Sequence, residues 1–217
     1  MDARSDYTDE LAKIDRRLET AEPAQRLFWL YTRASLTGAP DDWREVWRGV
    51  GGDVQQPRSG ELLLYRATAA LELHRPEEAE AALDRLDRMA PDLGEGSYAK
   101  LLRGDVALQR HETSDAERIY RSVLTVERSW RALARVAYLE RLSGRFRRAD
   151  RLYEEAQEPL SAKEMRRWAW LELQRGLVDL DRGRRDEARD HLLRADRAYS
   201  GYWLIESHLS ELDPQVP

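Results

Sequence analysis

The sequence predicts an all-α protein, an α-solenoid of stacked antiparallel helix pairs with a capping helix at each end. The main observation is a repeat: four times, an alanine just after a short charged turn is followed four positions later by leucine or tyrosine. The four pairs are Ala79 with Leu83, Ala116 with Tyr120, Ala149 with Tyr153 and Ala188 with Leu192. Successive alanines are 37, 33 and 39 residues apart, close to the period of about 34 residues typical of stacked helix–turn–helix units. Most apolar side chains at these regular positions are therefore assigned to stacking.

The composition supports the same architecture. The chain has 217 residues, of which 41% are hydrophobic and 35% are charged, and its mean hydropathy is −0.76. This mixture is too apolar for a disordered chain and too charged for one large core. It suits thin helical layers in which every helix keeps one face in water. Residues 1–217 are therefore predicted to form a single α-solenoid domain.

Charge and composition also narrow the classes of function. The net charge of −5 argues against a nucleic-acid binder and against binding to an anionic membrane. The absence of cysteine excludes disulfides, thiolate metal sites and cysteine nucleophiles. No apolar run reaches the length of a membrane helix or signal peptide, so a cytoplasmic location is expected. Arginine greatly outnumbers lysine, a usage typical of a GC-rich bacterial genome.

The first part of the chain departs from the regular pattern. Residues 5–21 are predicted to form an N-terminal capping helix, with Leu11, Ile14 and Leu18 at helical spacing. Residues 22–52 are predicted to form a divergent helix pair, interrupted by Gly38 and Pro40. The stretch 49–60 is rich in turn-forming residues and is the candidate for a loop or hinge.

From residue 60 the pattern becomes regular. The predicted repeats span 60–92, 97–128, 130–160 and 162–200, and a half-unit at 201–212 is predicted to cap the last pair. Each repeat has an internal turn, of which Gly144 and Gly183 mark the third and fourth. Pro91 is predicted to stop the second helix of the first repeat, and Gly201 to end the last repeat.

These units resemble tetratricopeptide repeats. The resemblance rests on the alanine of each second helix, on a small residue in the first helix (Gly104, Ala137 and Gly176), on the turn glycines and on Pro91. It covers residues 60–212 well and residues 22–59 poorly, and the tryptophan often found early in the first helix is missing. The resemblance implies a right-handed superhelix whose first helices line a concave groove for peptides or partner proteins.

Candidate partner-binding residues follow from the positions that would face such a groove. They are Tyr65, Tyr98, Asp105, Arg131, Arg135, Tyr138, Trp170 and Gln174. Trp168 and Trp170 project to different sides of one helix, so they cannot both face the same core. The simpler interpretation is that they pack against the preceding repeat, and the alternative is that one of them lies in the groove as an interaction anchor. A protein or peptide is the expected partner, and an acidic segment would suit the arginines.

The densest group of positive charge surrounds the third repeat. It comprises Arg128, Arg131, Arg135, Arg141, Arg145, Arg147, Arg148 and Arg151. The simpler interpretation is a solvated face in which these arginines pair with acids at helical spacing. The expected acids are Glu127, Glu140, Asp150, Glu154 and Glu155. The alternative is an anchor for an acidic partner segment or carboxy-terminus, because guanidinium groups bind carboxylates bidentately. RNA binding would use the same residues, but the surrounding charge is not positive.

No catalytic, cofactor-binding or metal-binding residue is predicted. His74, His111, His191 and His208 lack metal-ligand spacing and are expected to be exposed. Paired acids such as Glu77 and Glu78 stand mostly at helix starts or on solvated faces, where the helix dipole favours negative charge. No glycine-rich phosphate loop is present.

The sequence thus predicts a non-catalytic scaffold or adaptor that binds a protein or peptide. A peptide-sensing or regulatory subunit acting on a partner enzyme or transcription factor is an alternative. An enzyme on helical repeats is a third, and it predicts a buried polar pocket with strongly shifted pKa values. Trp29, Trp43, Trp47 and Trp203 are expected to fill irregular packing at the two ends. The sequence does not determine whether the chain forms a homodimer through these Trp-rich ends.

Overall fold

The computed structural model describes residues 5–51 and 60–212, which form two compact units. One unit comprises residues 11–51 and 60–127, and the other comprises residues 5–10 and 128–212. Gly51 ends one helix and Gly60 begins the next. Most of the predicted loop and hinge at 49–60 therefore lies outside the described residues.

The unit formed by residues 11–127 contains most of α1 and seven further helices among its described residues. They are α1 (Tyr7–Thr20), α2 (Pro23–Thr37), α3 (Pro40–Gly51), α4 (Gly60–Glu72), α5 (Pro76–Met89), α6 (Pro91–Gly94), α7 (Ser97–Gln109) and α8 (Thr113–Val126). Helix α2 packs on α3, α4 on α5 and α7 on α8, while α3 also packs on α4, and α7 on α4 and α5. The single turn α6 was not predicted. Pro91 follows the end of α5 and begins this turn because proline suits the first position of a helix.

The unit formed by residues 128–212 and 5–10 contains the last two repeats. Its helices are α9 (Trp130–Leu142), α10 (Phe146–Gln157), a 3₁₀ turn (Ala162–Glu164), α11 (Met165–Asp181), α12 (Arg185–Ala198) and α13 (Trp203–Leu212). Helices α9 and α10 pack as one pair, α11 and α12 as the next, and α13 covers α12. The all-α repeat fold predicted from the sequence is confirmed.

The four internal turns share one backbone geometry. His74, His111, Gly144 and Gly183 occupy equivalent positions, and all four have a left-handed backbone with φ between 55° and 73°. In each turn the next residue donates its backbone N–H to the carbonyl five residues earlier, as Arg75 does to Ala70 at 2.8 Å. This bond belongs to the Schellman motif, which ends a helix by satisfying its last carbonyl groups. The turn therefore repeats even where its residue type does not.

The core of each repeat is built from alanines and from small residues that face large ones. Ala79, Ala116, Ala149 and Ala188 are completely buried. In the second repeat Gly104 on α7 lies against the ring of Tyr120 on α8. Two helices can approach closely only where one of the facing side chains is small. The positions of the small residues therefore determine where the two helices of a repeat pack against each other.

The N-terminal residues differ from the predicted helix over 5–21. Residues Ser5–Asp6 form a short strand, β1, which pairs in parallel with β2 (Tyr199–Ser200) after the last repeat. Helix α1 begins only at Tyr7 because the carboxylate of Asp6 caps it, accepting the backbone N–H of Thr8 at 2.7 Å. Hydrogen bonds from the backbone of Asp9 and Thr8 lower the pKa of Asp6.

Candidate functional site

The predicted partner-binding residues are divided between the two units. Arg131, Arg135 and Tyr138 lie on α9, and Trp170 and Gln174 lie on the first helix of the next repeat, α11. In the other unit, Tyr65 lies on α4, and Tyr98 and Asp105 lie on α7. All eight are on the first helices of their repeats.

An aromatic pair joins the third and fourth repeats. The rings of Trp130, at the start of α9, and Trp170, on α11, meet edge to face with their centroids 6.4 Å apart. Two guanidinium groups lie over the Trp130 ring, Arg131 at 4.8 Å and Arg167 at 5.4 Å from its centroid. Arginines over tryptophan faces are attracted by the ring quadrupole. These four half-buried side chains form a mixed aromatic and cationic surface.

One of these arginines is fixed by the turn before α11. Arg167 forms an ion pair with Glu164, whose side chain also accepts the backbone N–H of Ser161. Hydrogen bonds from the backbone and the side chain of Ser161, and then from Arg167, lower the pKa of Glu164. The ionised carboxylate therefore holds Arg167 beside Trp130.

The surface continues along α9. Arg135 donates to the backbone carbonyl of Arg131 at 3.3 Å, and Tyr138, on the same face, is 40% exposed. Leu142, one turn further, is 59% exposed. We call the set Trp130, Arg131, Arg135, Tyr138, Arg167 and Trp170 the Trp–Arg surface. Gln174 lies half-buried one turn after Trp170.

In the other unit the predicted tyrosines form a cluster with a third ring. Tyr31 on α2 stacks on Tyr65 with centroids 4.3 Å apart, and its hydroxyl lies 3.1 Å from that of Tyr98. The Tyr98 hydroxyl also lies 3.1 Å from Thr68 Oγ1. Burial raises the pKa of Tyr31, and to a smaller extent that of Tyr65. The structure thus brings Tyr65 and Tyr98 together, with the Tyr98 hydroxyl engaged by its neighbours.

Asp105 lies beside the second helix of its own repeat. Its carboxylate accepts a 2.7 Å hydrogen bond from the hydroxyl of Tyr120, which is fully buried. A buried tyrosine hydroxyl needs such a partner. Asp105 therefore accepts the hydrogen bond that the buried Tyr120 hydroxyl needs. The sequence had predicted a partner-binding role for Asp105 and not this one.

At least four of the eight arginines in the group pair with acids within the chain, although the spacing is not mainly helical. Arg141 on α9 binds Asp181 on α11 through two hydrogen bonds of 2.5 and 3.2 Å. Arg145 and Arg148 both pair with Glu140, and Arg128 pairs with Glu155. Asp150 and Glu154, expected partners of the group, instead bind Arg175 on α11. These pairs mostly join different helices because the repeat brings distant segments together.

The expectation that the histidines and carboxylates are exposed is wrong for several residues of the last two repeats. Glu140, Glu172 and Asp179 are buried, and His191 is largely buried between two of them. Glu172 accepts hydrogen bonds from Gln157 at 2.9 Å and Arg194 at 2.5 Å, and His191 Nδ1 lies 2.9 Å from it. Burial alone would raise the pKa of Glu172, but the bonds to His191, Gln157 and Arg194 outweigh it and lower the pKa to about 2. His74 and His111 are exposed in their turns, as expected.

Sequence reasoning missed two contributors to these surfaces. Arg167 precedes Trp170 by three residues on the same helix, and that spacing is a signal that could have placed it on the same face. Tyr31 lies in the divergent first pair, outside the regular repeat, and no spacing pointed to it. Within residues 5–51 and 60–212, no group of three His, Asp or Glu side chains could hold a metal ion. No helix in the same ranges is long and apolar enough to cross a membrane.

These features define a helical-repeat protein with side-chain surfaces on the first helices of its repeats. The fold is similar to that of tetratricopeptide repeat proteins, which confirms the resemblance seen in the sequence. A tetratricopeptide repeat protein from Parabacteroides merdae superposes with a TM-score of 0.63 at 20% identity, covering 95% of this chain and 78% of its own. PilW, a type IV pilus biogenesis factor, gives 0.50 at 18% identity, covering 94% and 90%. No protein-family model and no curated protein matches the sequence.

Proposed function

We propose that this chain is a non-catalytic scaffold that binds a protein or peptide through the Trp–Arg surface. The observation that carries the proposal is the meeting of Trp130 and Trp170 with the guanidinium groups of Arg131 and Arg167. Aromatic and arginine side chains dominate the energetics of protein interfaces because they offer large contact areas together with directional polar groups.

The chemistry of the surface favours an acidic segment with apolar side chains. Guanidinium groups bind carboxylates bidentately, and those of Arg131 and Arg167 lie together over the Trp130 ring. Partly exposed Tyr138 and Leu142 offer apolar contact beside those arginines. A partner with alternating acidic and apolar side chains would therefore satisfy both parts of the surface.

The low pKa of the buried Glu172 carboxylate argues against a catalytic role. Glu172 is the acid whose pKa is shifted furthest, as an enzyme site would require, but the shift is downward to about 2. A general base works best with a pKa near the working pH, and this carboxylate is far below it. Its oxygens are also occupied by Gln157, His191 and Arg194. We therefore assign this cluster to the stability of the last repeat.

The proposal is tested by selecting ligands from a random peptide library displayed on phage, with the full chain immobilised. Enriched peptides should contain both acidic and apolar residues, and their affinity should fall as salt is raised because the charges are exposed. Arg135→Gln and Tyr138→Ala should each weaken the binding of a selected peptide by about tenfold, as expected for loss of one interface contact. Both positions are partly exposed, so the fold should survive.

Matched controls come from similar side chains elsewhere. Arg118→Gln removes an exposed arginine that pairs with Asp115, and Trp203→Ala removes a tryptophan that is 45% exposed. Both should leave the affinity unchanged. Selected peptides that bind all four variants equally would show that the Trp–Arg surface is not the binding site.

The Trp-rich ends carry a second candidate interaction. Phe28 is 49% exposed and packs edge to face on Trp29, with the ring centroids 5.1 Å apart. Together with Arg17 these rings line an open cleft between α1 and α2. Self-association through this end would bury them, and Phe28→Ser would then convert a dimer to a monomer in light scattering. A wild-type chain that remained monomeric at high concentration would contradict self-association through this end.

A further inference from the structure

The last repeat holds the chain's own N-terminal segment in the manner of a bound peptide. Residues 5–10, here called the strap, add a strand to β2 with Ser5 opposite Tyr199 and Asp6 opposite Ser200. Strand addition of this kind is a common mode of peptide recognition. The strap belongs to the same compact unit as β2, although residues 11–198 lie between the two in sequence.

Side chains complete the docking of the strap. The ring of Tyr7 lies 6.5 Å from Tyr199 and 5.8 Å from Tyr202, measured between centroids. The hydroxyl of Tyr199 donates a 2.6 Å hydrogen bond to Glu10. We call β2, Arg166, Tyr199 and Tyr202 the clasp site. It recognises an aromatic ring and, three residues later, a carboxylate.

The fit of the strap is incomplete at one point. Arg166 Nη1 lies 3.6 Å from the Glu10 carboxylate, which is an ion pair but too long for a hydrogen bond. The same nitrogen is buried and makes no hydrogen bond. A buried unsatisfied donor is costly. A carboxylate that came closer to Arg166 would gain a charge-assisted hydrogen bond that the strap does not make.

The Ser200 hydroxyl also donates a 3.4 Å hydrogen bond to the Asp6 carboxylate of the strap. The strand pairing of the strap covers two residues, and Thr8 and Asp9 are exposed. Segments with few buried contacts open at low free energy compared with the rest of a protein. We propose that the clasp site is a peptide-binding site whose resident ligand is the strap, and that an acidic, aromatic segment of a partner protein displaces it. The Trp–Arg surface has no part in this exchange.

The test uses a fluorescent peptide of residues 5–18 and the full chain. In the variant Tyr7→Ala/Glu10→Ala the strap is weakened while every residue of the clasp site is kept. The labelled peptide should bind this variant at least about tenfold more tightly than wild type, because an occupied site reduces apparent affinity by the fraction that is free. Fluorescence anisotropy gives both constants, and equal weak binding to the two proteins would overturn the proposal.

Further variants locate the binding. In the released chain, Tyr199→Phe and Arg166→Gln should each weaken the peptide, and a peptide carrying Glu10→Gln should bind less well than the parent. Tyr138→Ala, which alters the Trp–Arg surface, should change nothing, so this proposal and the proposed function fail separately. If circular dichroism shows that the double variant is unfolded, Glu10→Gln alone serves as the released chain. If neither Arg166→Gln nor Tyr199→Phe changed the affinity for the peptide, the clasp site would not be its binding site.

Discussion

Gly104 on α7 lies so close to Tyr120 on α8 that a Cβ at position 104 would overlap the tyrosine ring. The tyrosine is fully buried and its hydroxyl is bound to Asp105, so it has no room to move aside. Gly176 is the equivalent residue of the last repeat. A Cβ there would meet its nearest neighbour, the backbone oxygen of Ala188, at 3.2 Å.

Gly104→Ala is expected to lower the free energy of unfolding by about 2 kcal/mol, since overpacking a fixed ring outweighs the better helix propensity of alanine. Gly176→Ala is the matched control and should change stability by less than about 1 kcal/mol, because the same gain in propensity meets a milder contact. Urea unfolding measures both. Equal effects at the two sites would contradict the packing described for Tyr120.

His74→Gly and His111→Gly are expected to stabilise the chain. Both histidines have a left-handed backbone, with φ of 55° and 65°, in turns where the third and fourth repeats have glycine. Relief of this strain exceeds the extra chain entropy of glycine, so each change should raise the free energy of unfolding by about 0.5–1 kcal/mol. Thermal unfolding gives the comparison.

The control for these turns is His208→Gly, which places glycine inside helix α13. That change should destabilise by about 1 kcal/mol because glycine is a poor helix former. If all three substitutions lowered the melting temperature, backbone strain at His74 and His111 would not be a significant cost.

Glu172→Gln is expected to destabilise the last repeat in a pH-dependent way. The folded pKa of Glu172 is lowered to about 2 from a usual 4.5, so its stabilising effect is complete above pH 4.5 and is lost as pH falls toward 2. At neutral pH the glutamine variant should lose about 3 kcal/mol, because Arg194 and His191 Nδ1 would lose the carboxylate of Glu172.

The difference between wild type and Glu172→Gln should therefore shrink steadily from pH 5 to about pH 2. Chemical unfolding at a series of pH values measures it. Glu158→Gln changes an exposed acid in the same unit and provides the control. A gap that stayed constant with pH would mean that the charge of Glu172 is not what stabilises the cluster.

Tyr98→Phe is expected to cost about 1–2 kcal/mol, because its hydroxyl is shared with Tyr31 and Thr68 in a half-buried cluster. Tyr65 in the same cluster contributes its ring to the stack on Tyr31. Tyr65→Phe keeps that ring and should change stability by less than about 0.5 kcal/mol. Denaturant unfolding of the two variants separates hydroxyl bonding from ring stacking, and a larger loss for Tyr65→Phe would reverse the roles assigned here.

The regular repeats were predictable because their signals are local. Ala79, Ala116, Ala149 and Ala188 mark positions where two helices touch, and each such contact depends on residues within the same short unit. Gly144 and Gly183 mark turns by their own backbone preferences. The first helix pair, residues 22–52, departs from the repeat pattern, so its sequence did not indicate that Tyr31 would join the tyrosine cluster.

The site was predictable only in part. The sequence placed Trp170 and Arg131 on first helices, and the structure adds that Trp130 joins them across two repeats. The buried acid Glu172 could not be recognised, because its partners Gln157, His191 and Arg194 come from three helices. A charged residue has the same sequence signature whether it is solvated or paired in the interior.

The sequence by itself determined the repeat, the helix pairs and their turns, since helical periodicity and backbone preference act over a few residues. Only the tertiary structure decided which polar groups are buried together and which segments meet. The pairing of Glu10 with Tyr199, 189 residues apart, is the clearest case. Such contacts depend on the positions of several helices at once, and no spacing along the chain encodes them.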